Sequence, residues 1–219
     1  ETALGFIDYK ENFGEMENKG WSLNLRTQML RDTERELYWS LAFGTSDSKN
    51  KIKKITDKLG AMNDENNKNE TKKPVPLYEE GESLDALKAV PSLGIDPETG
   101  KEVFVKKDGS LTTIWDYNDK VVCGTTDPKF RGTLNSFLTF KGISLNMSFN
   151  FQWGGQTYNQ TLASRVEGVN PNSNCDRRVL YDRWKKPGDR TFFKNIALEE
   201  NVSNLTTRFV QDYNYFQIG

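Results

Sequence analysis

Four stretches of the chain alternate between apolar and polar residues with a period of two. Residues 21–30 (WSLNLRTQML) set Trp21, Leu23, Leu25, Thr27 and Met29 against Ser22, Asn24, Arg26 and Gln28. Residues 37–44 set Leu37, Trp39, Leu41 and Phe43 against Tyr38, Ser40, Ala42 and Gly44. In 133–140, Leu134, Ser136, Leu138 and Phe140 oppose Thr133, Asn135, Phe137 and Thr139. In 143–152, Ile143, Leu145, Met147, Phe149 and Phe151 oppose Ser144, Asn146, Ser148, Asn150 and Gln152. Side chains alternate across a strand, so each stretch predicts a strand with one apolar and one polar face. The apolar face carries no charge and is polar only at Thr27 and Ser136; the polar face carries one charge, Arg26.

Two environments produce this pattern. A soluble sandwich buries the apolar face against a second sheet. A membrane barrel turns it to lipid and lines its lumen with the polar face. Three observations favour the barrel. Ten residues at ~3.4 Å, tilted ~45°, rise about 24 Å, close to the ~25 Å apolar band of outer-membrane barrels. The polar face is rich in Asn, Gln and Ser rather than in Lys and Glu. The connections alternate: 31–36 short, 45–132 long, Lys141-Gly142 a two-residue turn, 153–208 long. Short periplasmic turns and long extracellular loops are the barrel habit. In that orientation Trp21, Phe43, Phe149, Phe151 and Trp153 fall near the outer rim, and Trp39 and Phe140 near the inner one, where aromatic girdles belong.

The expected fold class is therefore all-β: part of a large antiparallel transmembrane barrel, with about six strands present. Residues 2–9 are expected to rise into a short external link over 10–20, and 209–219 to descend as a last strand. Both ends lie in strand-like sequence, which predicts a piece of a longer chain. Within the first long loop, 47–59 predicts a short helix with Ile52, Ile55 and Leu59 as its stripe. Residues 63–73 are polar and of low complexity, and 94–115 predicts a small hairpin.

Composition narrows the chemistry. Thirty basic and 31 acidic residues among 219 leave a net charge of −1, with a pI of 5.8 and a mean hydropathy of −0.74. Charge balance excludes nucleic-acid binding by bulk charge, and no apolar run is long enough for a spanning helix. The absence of histidine removes Ser-His-Asp and Cys-His catalysis and histidine-ligated zinc. Asp96, Glu98 and Asp108 lack calcium-loop spacing and suit turns. Glu79/Glu80 and Glu199/Glu200 read as solvated loop charge. Gly154-Gly155 lacks a phosphate-loop frame, and Asn159, Asn201 and Asn204 open Asn-x-Ser/Thr triplets that are frequent in Asn-rich loops. No catalytic residue, cofactor or metal is expected. Trp115, Tyr117, Trp153, Tyr158, Tyr181 and Trp184 fall in the expected external loops. They either contact substrate or a partner, or form small loop cores. Asn24, Arg26, Gln28, Asn146, Asn150 and Gln152 are the candidate lumen residues.

Several strings, in order, resemble one family. They are NFGEMENKGWSLNL, EEGESLDAL, GIDPETGKEVFV, VVCGTTDPKFRGTLNSFLTFKGISLNMSFNFQWGGQTYNQT, RRVLYDRWKKPGDRT and FVQDYNYFQIG. Their succession resembles SusC/RagA-type TonB-dependent outer-membrane transporters of Bacteroidota. The resemblance implies a barrel of about 22 strands with a plugged lumen, of which residues 1–219 would be a late, C-terminal segment with 45–132 and 153–208 as extracellular loops. It implies TonB-dependent import of large nutrients, glycan or peptide, across the outer membrane, without catalysis. The implied partners are a SusD-like surface lipoprotein, TonB through parts outside this chain, outer-membrane lipid, and a second transporter–lipoprotein pair. Cys123 stands where the family usually has an aliphatic residue, which raises a Cys123–Cys175 bond between external loops as a further expectation. The alternative is a soluble secreted β-sandwich that binds glycans.

Overall fold

The computed structural model describes residues 14–68, 74–170, 172, 174–196 and 204–219. In chain order these form β1 (Gly14–Asp32), β2 (Leu37–Ile55), helix α1 (Asp57–Lys68), β3 (Ala86–Ala89), β4 (Ser92–Ile95), β5 (Glu102–Val105), β6 (Leu111–Thr112), β7 (Val121–Thr125), β8 (Phe130–Phe140), β9 (Ile143–Tyr158) and β10 (Val210–Ile218). The main sheet has five strands in the order β1-β2-β8-β9-β10, all antiparallel. Two small sheets, β3-β7 and β4-β5-β6, are built from the first long connection. The expected strand over 2–9 lies outside the described residues.

Register converts the four alternating stretches into continuous rungs. On the apolar face Leu25, Phe43, Leu134, Phe149 and Ile218 lie side by side, and below them Thr27, Leu41, Ser136 and Met147. A bulge between Gln28 and Leu30 brings Leu30, not Met29, into the next rung with Trp39, Leu138 and Leu145. This corrects the simple alternation: one extra residue shifts the remainder of β1 by one face. The face stays open to its surroundings. Leu25 is 57% exposed, Ile143 73%, Phe216 58% and Ile218 74%. A soluble sandwich would bury these side chains against a second sheet, whereas a barrel wall offers them to lipid.

Two polar residues on this face are hydrogen-bonded. The Trp39 indole N–H donates to Ser136 Oγ at 3.0 Å. Thr45, one rung above Phe43, donates to the carbonyl of Arg131. At the upper rim Phe151 stacks on Phe43 and Phe130, with centroids 5.9 and 5.5 Å apart, and meets Trp153 at 5.7 Å. Gly132 makes room for this: a Cβ there would stand 2.6 Å from the Phe151 ring and 2.2 Å from the carbonyl of Gly44.

Both short connections are tight. Asp32 Oδ1 accepts from the amides of Glu34 and Arg35. Lys141 and Gly142 have φ of 48° and 80°, the left-handed pair that a two-residue hairpin turn needs. The hairpin expected within 94–115 is present as β4-β5-β6.

The expected helix over 47–59 is not formed. β2 continues to Ile55, paired with Gly14–Gly20 across a bulge that skips Lys53, and the helix starts only at Asp57. The same pairing extends β1 upward, so that Gly14–Gly20 is strand rather than link. Ladder bonds and the burial of Ile52 (4% exposed) outweigh a weak helical stripe.

A compact layer lies above β9 and β10. Ala163, Val166, Val169, Val179, Phe193 and Phe209 form its core, with Tyr158, Leu162 and Phe192 against it. Leu162–Glu167 is a single π-helical turn.

Candidate functional site: the lumen wall and its mouth

The polar face assembles in the same way. Asn24, Gly44, Thr133, Asn150 and Gln217 form one rung; Arg26, Ala42, Asn135 and Ser148 the next; Gln28, Ser40, Phe137 and Asn146 the third. Gln152 sits above them, between Arg131 and Tyr215, and its amide donates to the carbonyl of Tyr213 at 3.5 Å. All six candidate lumen residues therefore share one face. Three lie on β1 and three on β9, about 14 Å apart across the intervening strands at the usual ~4.8 Å spacing. Side-chain positions agree with the register: a Cβ on Gly44 would meet Asn24 Oδ1 at 3.0 Å and Thr133 Oγ1 at 3.4 Å. Thr133, Asn135, Ser148, Tyr215 and Gln217 complete the surface. Simple alternation within 133–152 already pointed inward for the first three. From Gln152 down to the lower turns, the charged side chains on this face among the described residues are Arg26 and Arg31 on β1 and Arg131 on β8. Such a surface offers hydrogen-bond donors and acceptors with little fixed charge.

The six loop aromatics divide by environment. The Trp115 N–H donates to Leu205 O at 3.2 Å, and the Trp184 N–H to Pro97 O at 2.8 Å. Trp184 also covers Gly100, where a Cβ would come within 2.5 Å of the ring. The Tyr158 hydroxyl donates to Asn204 O, and its ring packs edge-on against Phe209. These three tie loops together. Tyr117 is half-buried in a short 3-10 turn. Trp153, 45% exposed, stands at the rim of the apolar face beside Phe151, and Tyr181, 54% exposed, lies under the Arg177 guanidinium.

Two buried arginines tie the loops above the main sheet together, and no local pattern in the sequence marks their bonds. Arg208, immediately before β10, makes paired hydrogen bonds of 2.7 and 2.8 Å to Glu102 of β5 and again to Glu167 of the π-turn. Its side chain is 5% exposed, Glu102 5% and Glu167 0%. Burial pushes the Glu167 carboxyl above the ordinary carboxylate range, opposed by the Arg208 charge. Arg183 donates to the carbonyls of Val179 and Lys194 at 2.9 Å each and to Val166. A guanidinium has five donors in a planar fork, which suits it to closing several carbonyls or carboxylates at once.

The remaining candidates are structural. Asp96 accepts from Thr99 Oγ1 at 2.6 Å and Asp108 from Ser110 Oγ at 2.7 Å, and these bonds hold both carboxyls below their usual range. Glu79 pairs with the buried Lys88, and Glu80 accepts from the Ile55 amide. Asn159 bonds Gln211 and caps Leu162. Glu199, Glu200 and Asn201 lie outside the described residues. Among the described residues no group of three or more acidic or cysteine side chains could hold a metal ion. The expected Cys123–Cys175 bond is not formed: Cys123 Sγ donates to Leu87 O and Cys175 Sγ to Asn170 O.

Comparison with known proteins agrees with this geometry. No family model matches the chain. TonB-dependent receptor P3 of Formosa agariphila is 25% identical over 225 residues, covering 95% of this chain and 21% of the receptor. TonB-dependent receptor P39 of the same organism is 25% identical over 263 residues, covering 98% of this chain and 24% of the receptor. Along its whole length the chain resembles the barrel wall of SusC/RagA-type TonB-dependent outer-membrane transporters. Solved structures show the same fold. The RagAB peptide importer in its closed-closed state superposes with a TM-score of 0.70 at 18% identity, over 100% of this chain and 24% of the importer chain. A second structure, of the RagAB peptide transporter, gives 0.71 at 17%, over 99% and 24%. The segment thus spans about a fifth to a quarter of the proteins it matches. Its location is the bacterial outer membrane, as for the TonB-dependent receptors.

Proposed function

We propose that this segment is wall and mouth of a transporter that imports large nutrients, glycan or peptide, across the outer membrane with energy delivered through TonB. The observation that carries this reading is the two-faced register of the main sheet. Its outward rungs are apolar, with Leu25, Leu145, Ile143 and Ile218 exposed, while its inward rungs offer Asn24, Gln28, Asn146, Asn150 and Gln152 with Arg26 among them. Neutral hydrogen-bonding groups guide a polar oligomer without trapping it. No step requires bond-making or bond-breaking in the cargo. A SusD-like lipoprotein covers the mouth formed by 45–132 and 153–208, TonB acts through parts outside this chain, and two such pairs associate.

Uptake by the whole protein tests the reading. Cells expressing it with its lipoprotein, supplied with fluorescent oligosaccharide and oligopeptide libraries, are expected to accumulate one class in the periplasm only when TonB is present. Asn146→Trp, which narrows the lumen, should slow that uptake while leaving surface expression unchanged. Uptake that persists without TonB, or a folded water-soluble product without detergent, would defeat the proposal.

A further inference from the structure

The outward face changes character abruptly above its aromatic rim. Trp21 lies opposite Asp47; one rung higher Lys19 lies opposite Lys49, and a rung above that Glu17 lies opposite Lys51. These residues continue the odd-numbered, lipid-directed face of Leu23 and Leu25 rather than the lumen face. With Gly20, Asn50 and Gly81 they line a concavity of about 680 Å³. Each rung adds two residues, ~6.8 Å along the strand, so at ~45° tilt the lysines stand about 5–10 Å above Trp21. That is the headgroup layer, directly over the hydrocarbon.

Charge in the concavity is unbalanced at one point. Glu17 pairs with Lys19 and with Lys53. Among the described residues, neither Lys49 nor Lys51 forms an ion pair, although Asp47 lines the same concavity. Like charges directly opposite each other on a sheet destabilise it, yet Lys19 faces Lys49. An anion seated between them removes that penalty and gains up to three ammonium donors from each lysine.

We propose that this concavity binds the phosphate of an outer-leaflet lipid, with Lys19, Lys49 and Lys51 around the phosphate and the acyl chains running down past Trp21, Leu23 and Leu25. The site faces away from the lumen, so a cargo in transit cannot reach it. It stands on the membrane placement of the sheet and is independent of what is imported.

The test is native mass spectrometry of the full-length transporter released from a neutral detergent, with added bisphosphorylated lipid A, the same lipid dephosphorylated, or inorganic phosphate. Wild type is expected to retain the phosphorylated lipid. Lys49→Gln with Lys51→Gln should weaken retention roughly ten- to thirtyfold, and Lys49→Arg with Lys51→Arg should preserve it. Equal retention by the Gln variant would overturn the site. Equal retention of the dephosphorylated lipid would overturn its phosphate chemistry. Displacement by equimolar inorganic phosphate would overturn the lipid assignment.

Discussion

The indole N–H of Trp39 donates to the hydroxyl of Ser136 at 3.0 Å, across β2 and β8 and within a face otherwise directed at lipid. Hydrocarbon supplies no acceptor, so each group depends on the other. Ser136→Ala should destabilise the full-length protein in detergent by about 1–3 kcal/mol, because it strands the indole donor. Trp39→Phe in the Ser136→Ala background should recover much of that loss. Thermal melts of the four-member mutant cycle measure the coupling, and additive effects would refute it.

The two faces should tolerate charge very differently. Met147 lies midway along the apolar stretch 143–152 of β9 on the outward face, and its neighbour Asn146 points inward. Met147→Lys is expected to cost about 2–4 kcal/mol, the range for a cation at the bilayer midplane. Asn146→Lys should cost much less, since it meets water. Urea-unfolding midpoints in lipid vesicles decide between these, and equal losses would place both residues in one environment.

Removing Arg208 leaves Glu102 and Glu167 buried without their common partner. Arg208→Ala should therefore destabilise the mouth by about 3–5 kcal/mol, the usual loss when a buried ion network is broken from one side. Limited proteolysis should then cleave within 153–208 while the membrane strands stay protected. Unchanged protection would show that the loop core at Phe193 and Phe209 suffices.

Glu167 gives this cluster a signed pH dependence. A carboxyl whose native pKa is raised holds its proton more tightly in the folded state than in the unfolded chain. Its contribution to stability is complete below the ordinary carboxylate value and fades as pH rises through the raised native value. The melting-temperature difference between wild type and Glu167→Gln should consequently decline as pH rises from the ordinary carboxylate range through the raised native value. A difference that is flat or rises over that window contradicts the burial-driven shift.

The strands of the main sheet were legible because one face of each meets lipid or lumen along its whole height. Trp39, Leu41, Phe43 and their partners alternate without interruption, and the turn at Lys141-Gly142 follows from residue type alone. The bulge at Met29 was not legible, since nothing local distinguishes Met29 from Leu30; only the pairing with Trp39 does. The upper half of β2 departs from its helical pattern for a related reason. Lys49, Lys51 and Lys53 alternate, but no apolar face accompanies them there, so strand and helix patterns compete until Gly14–Gly20 pairs with the segment. Arg183 is marked only as part of RRVLYDRWKKPGDRT, with nothing there to indicate its bonds to Val166 and Val179, and Arg208 carries no sequence signature. Arg208 meets Glu102 across 106 positions of chain, a contact that no local pattern encodes.

Nineteen residues each in β1 and β2, at ~3.4 Å and ~45° tilt, give a hairpin roughly 45 Å tall, against an apolar band of ~25 Å. About 20 Å of hydrogen-bonded ribbon therefore extends beyond that band, through the headgroup layer. Whatever approaches that end of the sheet meets this stack before it meets the hydrocarbon.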